Sequence, residues 1–589
     1  MLKHLQRALE NARVYSFFAH VSPNPRLSAA RNGLKASAIP INALAFRSRS
    51  QVFFVACAAV FIFFVFGYTY LGAPHWLRID SDSPSYLQPT LWGSYSDGRN
   101  SGYATFLRVV HALMGLGRLD EVQLALELFG FAIAVGMLAY AYGAWISAGI
   151  VLLLFSYVGI FSYYSSQILT EPLYIFGLSL FALGLAASVR RPAWGLFALT
   201  GIGLAAAVLA KSVGIVFLAP SLLGLRFLPN QVRAKAAASI MLPALSIYLI
   251  MCVHGYYRFG EFRPEAISGV QLTGIAASFL EPASSNDELA TVIKEAAKPL
   301  LEKRPADLRH IRSVDDLNRY VDYVTREFNQ VLWLAIYPAA VKQTNNPPFH
   351  VINKKLYKIG IRSIRAHPDL YFLNVLANFY GIWREMGMVC GPDDTRDSCH
   401  NGWFSPDIIS MGKVIRLQHG EFQWPNIIEF TDTHSPALGL TKLPSSEELA
   451  YAVAEQNRVP TMGLRPLYEL IDGFRSLTIA IGVAALVASA LFLLPLRYIG
   501  ALAPSIVLSL VLNAHVAGHA LLGGYADLRY ATVLIPIVVG FLFCIVKDIG
   551  ETSSFQRLIA GSLNLKGSAP RFASNLRPTT TARQWPSDS

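Results

Sequence analysis

Ten apolar runs constrain this chain more than any other feature, at about 51–72, 122–141, 145–163, 169–189, 195–210, 213–228, 237–255, 475–495, 499–520 and 529–546. A helix of about twenty apolar residues crosses the hydrocarbon core of a bilayer. Inside that core a backbone must satisfy its own polar groups, which favours helices for runs of this composition. Composition agrees: 53% of residues are hydrophobic and 15% charged, whereas soluble domains average about 25% charged. The predicted fold class is an all-α polytopic membrane protein with about ten transmembrane helices and a large, mainly helical extracytoplasmic loop.

Charge sets the predicted sidedness. The stretch Trp194–Leu228 is too long for one span and is interrupted by Ala210-Lys211-Ser212, so it reads as two short helices meeting at a break. With that split, Arg190, Arg191, Arg226, Arg233, Lys235, Arg497 and Lys547 all fall inside, as Lys and Arg beside spans do. Much of the net charge of +12 lies beside spans, so it does not point to nucleic acid. The layout is a basic N-terminal tail (1–50), an N-terminal transmembrane region (51–255) with an acidic first outer loop (73–121), a large extracytoplasmic loop (256–474), closing spans (475–546) and a cytoplasmic tail (547–589) expected to be disordered. The first 50 residues hold eight Lys or Arg and one acid, Glu10. That suits a cytoplasmic tail orienting the first span, and an organellar transit peptide has the same bias.

The large loop shows helical periodicity in 287–303, 315–343 and 352–387. Within it FLNVLANFYGIW, 372–383, is apolar enough to lie on a bilayer surface or to pack into the loop's own core. Cys57, Cys252 and Cys544 lie in spans, whereas Cys390 and Cys399 flank GPDDTRDS in the loop. An oxidising compartment would join those two as a disulfide.

Charged groups near hydrocarbon are costly and therefore informative. Asp80 and Asp82, in RIDSDSPSYL, sit in the first outer loop; Glu171, in SSQILTEPLYIF, begins a span from the same side. Lys211 stands at the outer break, Arg529 begins the last span, and His515 and His519 close the span before it. Singly, each has a structural reading: Glu171 as an acid at a helix start, Lys211 and Arg529 as snorkelling cations, the histidines as interhelical hydrogen-bonders rather than a metal pair. Together they put acids and bases at one face. Carboxylates with fixed cations at a lipid interface suit a phosphate-linked lipid: cations hold phosphate as charge develops, and an aspartate takes a hydroxyl proton. Asp-x-Asp is also a divalent-metal pattern.

Several stretches, in order, resemble the GT-C superfamily of integral membrane glycosyltransferases that use polyprenyl-phosphate sugars, including the protein mannosyltransferase and lipid A aminoarabinose transferase relatives. They are DSPSYL (82–87), RNSGYATFLRVVHALMG (99–115), LTEPLYIFGLSLFALGLA, GIGLAAAVLAKSVGIVFLAP, FGEFRPEAISGVQL (259–272), IRSIRAHPDLYFLNVLANF and LRYATVLIPIV. The likeness covers roughly 51–272 and 475–546. Lys211-Ser212 replaces the relatives' Arg-Pro, Asn100-Ser101 stands where they often have proline, and the insert near 280–350 is longer than the resemblance explains.

The resemblance implies a glycosyltransferase moving a sugar from a polyprenyl-phosphate donor to a glycan, lipid or protein acceptor, with inversion, at the periplasmic face of a bacterial inner membrane. It implies Asp82 as catalytic base and Asp80 as second candidate, with Arg99, Lys211 and Arg529 on the carrier phosphate and Glu171 on sugar or acceptor. Tyr86 and Tyr103, inside the matched motifs, join the substrate contacts. Relatives differ in metal dependence, so Asp80 and Asp82 would hold Mg or Mn only in a metal-dependent enzyme. Rival readings are a lipid or solute flippase, which should show inverted repeats and polar residues along whole spans, an O-antigen ligase or polymerase, which should depend on loop arginine and histidine, and a non-catalytic assembly protein.

Overall fold

The computed structural model describes residues 49–71, 83–92, 98–156, 160–165, 168–281, 287–302, 310–385, 474–522, 530–531 and 533–550. Of the N-terminal unit, Met1–Val52, only the first turn of one helix is described; all that follows belongs to Phe53–Ser589. The described residues are all-helical, without strands. The helices are α1 (Arg49–Leu71), α2 (Ser83–Trp92), α3 (Gly102–Met114), α4 (Leu119–Tyr142), α5 (Trp145–Phe155), α6 (Ile160–Ser165), α7 (Glu171–Arg190), α8 (Trp194–Ala210), α9 (Leu218–Gly224) and α10 (Asn230–Phe259). Then come α11 (Ser268–Ile275), α12 (Glu288–Leu301), α13 (Val314–Val331), α14 (Tyr337–Gln343), α15 (Phe349–Ala366), α16 (Pro368–Glu385), α17 (Phe474–Leu491), α18 (Leu496–Ile499), α19 (Ala503–Leu522) and α20 (Ile535–Gly550).

Among the described residues, five helices are long and apolar enough to cross a membrane: Arg49–Gly67, Leu116–Tyr142, Glu171–Arg190, Asn230–Phe259 and Gly500–Leu522. Four shorter apolar helices, Trp145–Phe155, Trp194–Ala210, Ser212–Phe227 and Leu477–Leu491, fall below that length. These short helices account for much of the difference from ten apolar runs: apolar sequence extends past the point where the helix stops. At the Lys211 break, α8 ends at Ala210, Lys211 is extended (φ −137°, ψ 127°) and a 3₁₀ turn starts at Ser212.

The centre of the bundle is α7, packed against α4, α8, α19 and α20. Small residues let α7 and α8 meet backbone to backbone: a Cβ on Gly177 would lie 2.4 Å from Ala207 N, and one on Gly203 2.5 Å from Phe181 N. Close approach of this kind is how apolar helices associate where lipid competes equally for side chains.

The loop helices follow the predicted periods with two differences. The 315–343 segment contains a π-helical turn, Leu332–Ile336, just before Pro338. Proline has no N–H to donate and its ring crowds the carbonyl four residues back, so the helix widens there. The 352–387 segment divides at His367-Pro368 into α15 and α16, because a residue before proline is pushed out of the helical region. One core is built from α11, α12, the π turn and α15, with Val270, Ile293, Leu332 and Leu356 inside. Asn353 Oδ1 joins it by accepting from Gly269 N (2.8 Å) and Val270 N (3.0 Å), which satisfies the open start of α11.

Helix α16 takes neither of its two predicted places cleanly. Ala377, Ile382 and Trp383 are buried in the main bundle core, against α13, α17 and α19, while Phe372 (60% exposed) and Leu376 (49%) face outward.

Candidate functional site

Glu171 opens α7, followed by Pro172 in the first turn, where proline's fixed φ suits a helix start and an acid meets the positive end of the dipole. Thr170 Oγ1 donates to Glu171 Oε2 (3.3 Å). Lys211 Nζ, carried by the extended break after α8, lies 2.9 Å from Glu171 Oε1, and the two side chains are only 14% and 3% exposed. The same ammonium sits over the rings of Tyr174 (5.3 Å) and Tyr530 (5.2 Å), so its charge is met by a carboxylate and two aromatic faces.

Behind this pair, Tyr174 OH lies 3.1 Å from His515 Nδ1, and His515 Nε2 lies 2.9 Å from Tyr530 O. A carbonyl only accepts, so Nε2 carries the proton and Nδ1 accepts from Tyr174. Both ring nitrogens are thus occupied, which takes His515 out of a metal pair with His519. His519 stacks on Tyr530 with ring centroids 4.1 Å apart.

On the other side of the break, Ser212 Oγ donates to the Glu265 carboxylate. Glu265 lies in the segment between α10 and α11 and faces the charges of Arg99, Lys211 and Arg263. Burial raises its carboxyl above the ordinary glutamate value, and the Ser212 hydrogen bond and the three cations offset part of that rise. Arg258 donates to the Arg99 carbonyl (3.0 Å), fixing the chain where Arg99 emerges.

A third group of buried polar residues comes from α2, α3 and α4. Tyr86 meets Tyr103 edge to face at 5.0 Å. Tyr103 OH donates to Gln123 Oε1 (2.6 Å), and Gln123 Nε2 donates to Ser165 O (2.7 Å). Burial holds the Tyr103 phenol well above its usual range, with Tyr86, Glu171 and Glu127 adding to it. Ser83, at the start of α2, donates to Ile168 O (2.9 Å), three residues ahead of Glu171. Glu127 is fully buried one turn after Gln123, and among the described residues neither carboxylate oxygen has a hydrogen-bond partner.

Of the residues nominated from sequence, Glu171 and Lys211 are in direct contact, and Arg99 faces Glu265 beside them. Tyr86 and Tyr103 are buried in the adjoining group. Asp80, Asp82, Arg529, Cys390 and Cys399 lie outside the described residues. Among the described residues no group of three or more His, Cys, Asp or Glu is placed to hold a metal ion. Sequence reading missed Glu265, Gln123, Glu127 and Tyr174. Two signals were available: Glu127 is an acid inside the apolar run at 122–141, and Glu265 an acid inside FGEFRPEAISGVQL directly beyond a span-length helix. Compared with known proteins, the chain matches no family model, no curated protein and no solved structure.

Proposed function

We propose that this chain is a membrane glycosyltransferase of GT-C type, moving a sugar from a polyprenyl-phosphate carrier to an acceptor outside the cytoplasm. The observation that carries the reading is the buried Glu171–Lys211 pair, with Glu265 bonded to the neighbouring Ser212 and in electrostatic reach of Lys211 and Arg99, supplied by the start of α7, the break after α8, the segment after α10 and the chain entering α3. Such a cluster has acids for hydroxyl groups and cations for a leaving phosphate.

In this reading Asp82 is the base that takes the proton from the acceptor hydroxyl as it attacks the anomeric carbon. The bond to the carrier oxygen breaks in the same step, and the polyprenyl phosphate leaves with the electron pair. Lys211, Arg99 and Arg529 steady that phosphate, and Glu171 orients sugar or acceptor. Because Lys211 is already paired with Glu171, phosphate arrival is an exchange of partners rather than capture by a bare cation. Asp80 and Asp82 are the residues that would hold Mg or Mn if the reaction uses one. The full count of ten spans and the periplasmic side of an inner membrane belong to this same proposal.

The test is transfer from a radiolabelled polyprenyl-phosphate sugar by purified protein in lipid, with the Asp82→Asn variant alongside. Loss of transfer with insertion and folding intact is expected. Full activity in that variant removes Asp82 from catalysis, and absence of transfer from every polyprenyl-phosphate sugar tried by the wild type overturns the proposal.

A further inference from the structure

Helix α15 carries a stripe of cations that the proposed reaction does not use and the packing uses only in part. Its inner face, with Ile352, Leu356, Ile359 and Ser363, is buried. On the opposite face Lys354, Lys355, Lys358, Arg362 and Arg365 recur at helical spacing. Two of these are matched internally: Lys354 to Glu261 (3.3 Å) and Arg362 to Asp287 (2.6 Å). Lys355, Lys358 and Arg365 are exposed and make no ion pair among the described residues.

Three contacts fix the level at which this stripe lies. Near its start, α15 is held to the end of the span-length helix α10: His350 meets Phe259 at 5.9 Å, and Lys354 reaches Glu261 two residues further on. Just after its end, Tyr371 OH donates to Leu521 O (3.0 Å), in the last turn of the span-length helix α19. An 18-residue helix is about 27 Å long, so α15 runs between the ends of two spans. Tyr256, Tyr257 (82% exposed) and Phe262 stand exposed at the α10 end, the residue types that gather where bilayer meets water.

We propose that the Lys355–Lys358–Arg365 face of α15 docks on the anionic headgroups of the surrounding bilayer. The inference rests on reading α10 and α19 as membrane spans; it is independent of the sugar-transfer reading. Unpaired cations at headgroup level attract anionic lipid, each by a modest amount that adds along the stripe. A bilayer fits better than a soluble polyanion because the start of α15 and the first turns of α16 just after its end are tied to span ends, and the neighbouring exposed residues are aromatic.

The experiment uses the full-length protein in non-ionic detergent, titrated with phosphatidylglycerol or phosphatidylcholine micelles while binding is followed by native mass spectrometry. Phosphatidylglycerol is expected to bind in preference to phosphatidylcholine. The triple variant Lys355→Gln/Lys358→Gln/Arg365→Gln should lose roughly tenfold or more of that affinity, with its melting unchanged. Lys342→Gln, an exposed cation on α14, should leave it unchanged. Retention of affinity within about twofold in the triple variant, or an equal loss in Lys342→Gln, overturns the proposal. So does a soluble polyanion such as heparin binding the wild-type face as tightly as the lipid does.

Discussion

Lys211 and Glu171 stand 40 positions apart in the chain, yet Nζ and Oε1 are 2.9 Å apart in a nearly solvent-free setting. Removing one member of a buried pair leaves the other charge uncompensated, at a cost of about 3–5 kcal/mol. Lys211→Met and Glu171→Gln should each lower the melting temperature in detergent. The double variant Glu171→Gln/Lys211→Met should recover most of the loss. Additive losses in the double variant would show that the two side chains do not act as a pair.

Glu265 gives a pH signature of opposite sense to an ordinary surface acid. Its carboxyl sits above the usual value in the folded chain, mainly through burial. An acid raised in this way favours the folded state while protonated. Its contribution is full below the unfolded glutamate value of about 4.3 and is lost as pH rises through the folded value. Glu265→Gln keeps an acceptor for Ser212 and removes the ionisation. Relative to wild type, the variant should therefore gain thermal stability between pH 4 and pH 8. The proposed sugar transfer should fall as well, because the carboxylate charge beside Arg99 and Lys211 is gone. A stability difference that is flat with pH would contradict this.

Tyr174→Phe takes away the donor facing His515 Nδ1 and leaves a buried acceptor unsatisfied, a loss of about 1–3 kcal/mol. Since both nitrogens of His515 are occupied in the wild type, added zinc should not shift wild-type melting by way of His515 and His519. A zinc-dependent rise abolished by His519→Ala would refute the hydrogen-bond assignment.

Gly177→Ala places a methyl 2.4 Å from Ala207 N. The helices α7 and α8 must separate, and overpacking of this kind costs about 1–3 kcal/mol. Because α7 carries Glu171 and α8 leads to Lys211, the proposed sugar transfer should drop along with stability. Gly195→Ala, with nothing within 4 Å of the added carbon, is the control and should be close to neutral. Equal effects of the two substitutions would mean that close approach of α7 and α8 is not what Gly177 provides.

What the sequence made legible follows from local signals. Apolar runs, the Lys211 interruption and the acid opening α7 are each readable within a window of about twenty residues. The pairing of Ser212 with Glu265, 53 positions apart, leaves no such trace, since each residue's local sequence says nothing of the other. Tyr174 was hidden for a related reason: an aromatic inside a span reads as apolar filler until His515, 341 positions away, supplies a partner. The shorter helices fall outside a length rule because apolar character depends on composition, whereas helix length also depends on breaks such as the extended Lys211. Pro368 was visible, but its division of one amphipathic period into α15 and α16 needs the backbone to be seen.

Trp383 of α16 packs on Gly482, in a helix made nearly a hundred residues later; a Cβ there would sit 2.8 Å from the indole. Ala377, Ile382 and Trp383 have α13 beside them from the start, but their packing is complete only once α17 and α19 have emerged from the ribosome. At 5–20 residues per second, that is a wait on the order of ten seconds. During synthesis the apolar face of α16 that these helices cover must be shielded by lipid or a chaperone until they arrive. Stalled or truncated chains ending before α17 should therefore be the forms that quality-control proteases recognise first.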